Sequence, residues 1–379
     1  MCITRVANIT GLDCVGIPVV SAYRPNARSL SVSQGKGLDL DAARASAVME
    51  AIELYHAERI AMPLRYMTYN EIRHTEPTFP VDGLPSLSVS TFHPDRSLLW
   101  VEGQDLMGQV DGWLPYEMVH TNYEQPLPPG SGCFLTTSNG LASGNHIDEA
   151  IVHGLCEVVE RDAVTLFGFR SADEQHAAQV ALDSISDPDC VDLLERFERA
   201  GVAVGVWDAT SDVEVATFLV VVQDRRPSPF RPQRPVEGMG CHPVPEIALA
   251  RALTEAAQTR LTLIAGARDD SREHYLGDGF AEVAARAQER LARAGSRRFE
   301  ATPRFEHDTF EDDRRTILAA LSRVGIERAI MVDLSKPTFG IPVVRMVVPG
   351  LEPYRHAPGY VPGKRAWPLL VARRAEAKR

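Results

Sequence analysis

Three short stretches of the chain space polar side chains in one way. In NHIDEAIVHGLCEVVER, 145–161, His153, Glu157 and Glu160 are separated by three and then two residues, which stacks them along one side of an α-helix. SAVMEAIE repeats the spacing with Ser46, Glu50 and Glu53, and RALTEAAQ repeats it with Arg251, Glu255 and Gln258. Ala, Val, Ile and Leu fill the intervening positions. A carboxylate pair on one exposed helix is ordinarily a solvated face. Three such faces, largely without matching cations at i, i+4, point instead to carboxylates that converge on something charged, because carboxylates withdrawn from water need counter-charge. Oxygen-only ligands select hard cations, favouring Mg²⁺ over zinc or copper, and Mg²⁺ bound this way completes its shell with phosphate oxygens. The reading is several Mg²⁺ ions and a nucleotide triphosphate.

Phosphoryl transfer also needs cations around the phosphates. Lys36, between Gly35 and Gly37, and Arg161, beside Glu160, are the candidates; the plainer readings are a surface turn lysine and an intrahelical partner of Glu157. No GxxxxGK[ST] or GxGxxG loop occurs, so a nucleotide site here is of another kind. A di-iron site would want two Glu-x-x-His motifs on a four-helix bundle, whereas His153 precedes its glutamates and the chain is rich in strand patterns. Cys133 and Cys156 lie near the central helix, but no Cys/His/Asp set is identifiable by spacing.

The elements that must position these groups are readable in outline. Residues 1–35 alternate apolar runs with Gly, Pro and Asn, predicting two or three strands, and Asp39 and Asp41 open a helix to about Met62. Strands and long loops are expected over 63–130, including SLLWVEG, with a turn at QVDGW. The Gly/Ser/Thr segment 131–145 runs into the central helix, where backbone amides and a helix N-terminus favour phosphate. A helix over 188–200, paired strands in VAVGVWDAT and VEVATFLVVVQD, a Pro/Arg-rich loop over 224–236 and a helix opening near Pro245 follow. Amphipathic helices over 278–295 and 309–324, two strands (IERAIMVDL, IPVVRMVVPG) and a basic, poorly patterned tail from Lys364 complete the reading. It is a mixed α/β chain treated as one domain, 1–379, with its core over about 1–350.

The 379 residues and 44% hydrophobic content can fill a real core. A net charge of −11 argues against a sequence-independent grip on nucleic acid, and no apolar run is long enough to span a membrane. Without a secretory pattern at the N-terminus and with six dispersed cysteines, reduced thiols in a cytoplasm are expected.

The stretches SVSQGKGLDLDAARASAVMEAIELYHAERI, TSNGLASGNHIDEAIVHGLCEVVERDA and HPVPEIALARALTEAAQTRLTLIAG resemble the three nucleotide-binding segments of the YcaO family, in the expected order. TRVANITGLDCVGIPVV and VVPGLE are similar to it as well. The resemblance implies a YcaO-type fold, with mixed sheets packed by helices and an ATP site between converging helices. It implies ATP and Mg²⁺ as cofactors and phosphorylation of a peptide amide oxygen, after which a Cys, Ser or Thr side chain gives an azoline or a sulfur donor gives a thioamide. Carried over by position, it makes Glu50, Glu53, Glu157, Glu160 and Glu255 metal ligands, and it sets Lys36, Ser46, His153, Arg161, Arg251 and Gln258 against the nucleotide. His153 stands where Gln or Asn is expected in many members.

The residues end VARRAEAKR, and neither a PxPxP tail nor a fused partner domain is expected. That leans toward the group working with a TfuA-like protein on thioamides, acting on a ribosomal peptide or protein, with a homodimer expected from the family. An azoline-forming cyclodehydratase and a non-catalytic nucleotide-binding partner protein are the alternatives.

Overall fold

The structure, a computed structural model, describes residues 1–226, 234–268 and 280–376. Most of the Pro/Arg-rich loop, the first residues of the helix expected over 278–295 and the last three of the tail lie outside them.

Three sheets carry the three charged helices. Strands β1 (Arg5–Asn8), β2 (Val19–Tyr23) and β3 (Val32–Lys36) form the first, in that order. The second is six-stranded. It runs β4 (Leu64–Thr68), β5 (Ser97–Asp105), β11 (Ile330–Asp333), β12 (Val343–Val347), β7 (Leu141–Ser143), with β6 (Val110–Pro115) also paired to β5. The third runs β10 (Val236–Cys241), β9 (Thr217–Asp224), β8 (Val202–Asp208). The longest helices are α1 (Leu40–Glu58), α3 (Ile147–Phe167) and α6 (Pro245–Ala265).

Each of these helices is seated on its sheet through glycine. A Cβ on Gly35 of β3 would lie 2.0 Å from the Ala47 nitrogen of α1, and one on Gly240 of β10 would lie 2.0 Å from the Ala248 carbonyl oxygen of α6. Gly154 does the same from within α3, where a Cβ would meet Met346 of β12 at 2.7 Å. The alanines of α1 (Ala43, Ala47, Ala51) and α6 (Ala248, Ala252, Ala256) are fully buried against those strands. Small residues on both partners bring helix and strand backbones together and aim the opposite helix face away from the sheet.

The mixed α/β class holds, with helices packing the sheets. Pairing between the named strands is antiparallel throughout, where mixed sheets were expected. Short connections leave no room for a parallel crossover in β1–β2, β2–β3, β5–β6, β8–β9 and β11–β12, whereas β5–β11 and β7–β12 are paired across long stretches of chain. The turn expected at QVDGW falls earlier: Gln109 takes φ +51° and Val110–Pro115 is strand. Two short helices, α2 (Tyr69–Thr75) and α4 (Ala172–Ala177), stand in regions read as loop, each opened by a capping box: Thr68 with Glu71, and Ser171 with Glu174. The helices α5 (Pro188–Arg199), α7 (Phe280–Ala292) and α8 (Phe310–Arg323) agree with expectation in place and type. The tail forms a helix, α9 (Ala366–Glu376), rather than unpatterned chain. Among the described residues no helix is long and apolar enough to cross a membrane.

Candidate functional site

The outward faces of α1, α3 and α6, together with the end of β3, enclose one cleft of about 1160 Å³. All eleven residues singled out from the sequence line it: Lys36, Ser46, Glu50, Glu53, His153, Glu157, Glu160, Arg161, Arg251, Glu255 and Gln258. The i, i+3 and i, i+4 spacing put each set on one face, and the glycine seats turn the three faces toward one another.

Within the cleft, anions outnumber the cations that meet them. Lys36 pairs with Glu255, whose other oxygen accepts the Met239 N–H at 3.3 Å. Arg161 stands 3.7 Å from Glu157 and 3.5 Å from Glu160, too far for close pairing with either, and lies over the Tyr354 ring at 5.8 Å. Glu50 accepts the Gln34 N–H at 2.7 Å, Glu53 accepts from the Ser143 hydroxyl at 2.6 Å, and Gln258 donates to the Gln34 carbonyl at 2.8 Å.

The titration of these groups reflects that imbalance. Burial, reinforced by the charges of Glu50 and Glu157 and only partly offset by Ser143, pushes Glu53 up to about 8. Burial likewise raises Glu50 and Glu157, and it takes Glu160 up to about 7 despite the nearby Arg161. Burial would raise Glu255 too, but Lys36 and Arg161 outweigh it and hold the carboxyl below the usual range. The same carboxylates raise Arg161. Four carboxyls held above their ordinary range mark a site short of positive charge.

An oxygen donor set with a deficit of cations fits Mg²⁺. No group of three or more His, Cys, Asp or Glu among the described residues stands ready to enclose an ion alone. Phosphate oxygens and waters would therefore complete each shell, as Mg²⁺ prefers.

The loop ahead of α3 divides in two. Glu117 takes up the N–H groups of Gly132, Cys133 and Phe134 at 2.6, 3.0 and 3.0 Å, so these three amides are not offered to phosphate. Ser138, Leu141 and the stretch from Ser143 to Asn145 line the cleft instead.

Sequence reasoning missed several supporting residues. Gln34 sits two positions before Lys36 on β3, and that alternation was a usable signal. Arg345, a guanidinium inside the apolar strand VVRMVV, was another: it is 1% exposed, donates to the Met118 and Thr137 carbonyls at 3.1 and 2.6 Å, and is electrostatically coupled to Glu157. Burial, only partly opposed by Glu157, lowers its pKa to about 10. Ser143 and Tyr354 gave no local signal.

Fold and cleft together define a protein that binds a nucleotide triphosphate and Mg²⁺ between helices rather than in a phosphate loop. The chain belongs to the YcaO family: residues 34–352 match the family described as YcaO cyclodehydratase, ATP- and Mg²⁺-binding. It is 36% identical to an uncharacterized protein in the tfuA 3′ region of Rhizobium leguminosarum bv. trifolii, over 92% of this chain and 84% of that one. It is 38% identical to an uncharacterized protein of Methanothermobacter thermautotrophicus, over 92% of this chain and 90% of the relative. Its fold matches that of YcaO from Methanopyrus kandleri, a structure bound with AMPPCP and Mg²⁺, with a TM-score of 0.73 at 24% identity, covering 95% of this chain and 90% of that one.

Proposed function

We propose that this protein uses ATP to activate a backbone amide of a ribosomally made peptide or protein by O-phosphorylation, and that the activated amide is converted to a thioamide with a TfuA-like partner. The observation that carries this reading is the single cleft in which acidic faces of three helices surround Lys36, Arg161 and Arg251. In it Glu50, Glu53, Glu157, Glu160 and Glu255 hold Mg²⁺, and Lys36, Ser46, His153, Arg161, Arg251 and Gln258 form the nucleotide side. Mg²⁺ bound there neutralises the triphosphate.

An amide oxygen is a weak nucleophile and hydroxide a poor leaving group. In the proposed reaction the amide oxygen bonds to the γ-phosphorus and ADP leaves. Sulfur then adds to the amide carbon, and phosphate departs with the former amide oxygen. The chain's own part is to hold the triphosphate in line, with Arg161 free to follow the phosphates because neither glutamate grips it closely. The relative in the tfuA 3′ region supports the sulfur branch. The family's description as a cyclodehydratase favours a second reading, azoline formation on Cys, Ser or Thr.

The two products differ in the sign of the mass change. The protein is incubated with ATP, Mg²⁺, a TfuA-like protein, a sulfide source and peptides encoded nearby, and peptide mass and phosphate release are followed. Sulfur-for-oxygen exchange raises the mass; loss of water lowers it and would select the azoline reading. Nucleotide binding without peptide-dependent phosphate release, identical in wild type and Glu157→Gln, would reduce the protein to a non-catalytic partner. We further propose one domain over 1–379, a homodimer and a cytoplasmic location; light scattering of the purified chain tests the second.

A further inference from the structure

One side chain links two of the three charged helices inside the cleft. Nε2 of His153, on α3, lies 3.0 Å from Nη2 of Arg251 on α6. A guanidinium can only donate, so Nε2 carries no proton and a neutral ring keeps its single proton on Nδ1. The neighbouring Ser143 backbone favours a proton on the ring, and the Ser143 hydroxyl donates to Glu53 on α1 at 2.6 Å. Burial first, then the charges of Arg251, Lys36 and His242, bring the imidazole down to about 3, so it stays neutral at working pH.

Arg251 needs such a partner. Its Nε is buried with no hydrogen-bond partner, and its charge is felt by both Glu157 and Glu160. A guanidinium that swung to either glutamate would neutralise a carboxylate required for a cation and leave the phosphate side empty. A neutral imidazole offers it a hydrogen bond at no cost in charge.

We propose that His153 is a positioning residue: it acts through Arg251, holding the guanidinium toward the nucleotide and away from the carboxylates. This rests on the nucleotide reading above. A Gln amide oxygen could likewise accept from Arg251, whereas Ala could not.

The full chain is titrated with Mg²⁺ and AMPPNP by calorimetry. His153→Ala is expected to weaken nucleotide binding about 10-fold, His153→Gln to restore it to within about 3-fold, and His153→Ala in an Arg251→Ala background to add less than about 2-fold. Equal losses in both backgrounds, or no rescue by Gln, would overturn the proposal. Nitrogen-15 histidine spectra decide it separately: the Nδ1–H tautomer is expected in the wild type from about pH 5.5 to 8.5 and mixed tautomers in Arg251→Ala. An Nε2–H or protonated ring in the wild type would also sink it. Absence of nucleotide binding by the wild type would refute the nucleotide reading alone, with the spectra still deciding the His153–Arg251 pairing.

Discussion

Glu53 holds its proton up to about pH 8, because burial and two neighbouring carboxylates oppose its ionisation. In its proposed role as a metal ligand Glu53 would bind a divalent ion in its ionised form, so Mg²⁺ entry would expel that proton. Mg²⁺ affinity in the presence of AMPPNP is expected to weaken by up to about tenfold for each pH unit below that value, and calorimetry in buffers of different ionisation enthalpy will register the released proton. The sign for folding is opposite: the metal-free folded state binds this proton more tightly than the unfolded chain, so Glu53's contribution to stability falls as pH rises from about 4.5 toward 8. Replacing Glu157 with Gln removes one like charge. Metal-free thermal stability is expected to hold or rise, while peptide-dependent phosphate release drops about 100-fold or more; loss of the folded state would instead make Glu157 structural. The eleven cleft positions were legible because helical spacing is a local property of the sequence. Ser143 and Arg345 were harder to place, since Arg345 meets β7 only through its register opposite Leu141, far away in the chain.

At the level of the element, the glycines decide where the carboxylates point. Gly238 and Gly240 alternate along β10 under the alanine stripe of α6, and a Cβ at either would penetrate the helix backbone. Gly240→Ala is expected to push α6 outward, costing about 1–3 kcal/mol by urea unfolding and weakening AMPPNP binding more than an equally destabilising change elsewhere. Unchanged binding would mean that α6 can shift without consequence for the cleft. Both halves of this contact, EGMGC and ALARALTEAA, are visible in the sequence, yet nothing local says that they meet. The opposite failure occurred at α2 and α4. Their capping boxes were plain in TYNE and SADE, but helices of seven and six residues carry too little periodicity to be read.

For the whole molecule, the cleft is lined by α1, α3 and α6, the helices seated on the three sheets, so a ligand that fills it couples them. Mg²⁺ with AMPPNP at 100 times its Kd is expected to add about 2.7 kcal/mol, seen as a higher unfolding temperature that chelation abolishes. The far end of α3 is tethered as well. Arg365 donates twice to Asp162 at 2.9 and 3.0 Å, and the Glu352 carboxylate gathers the Tyr360 hydroxyl and the N–H groups of Gly363 and Ala366, each at 2.9 Å. The architecture was legible as a mixed α/β chain, while the grouping of its strands was not, because β11 and β12 (Ile330–Val347) complete a sheet begun by β4 and β5 (Leu64–Asp105) far earlier in the chain.

The Lys36–Glu255 pair spans 219 residues of sequence. On a ribosome adding about 5–20 residues per second, Lys36 waits about 10–40 s before its partner exists. With the nucleotide site as proposed, a nascent chain would have no competent site until α6 has emerged, and ATP would favour the finished fold without trapping a partial one.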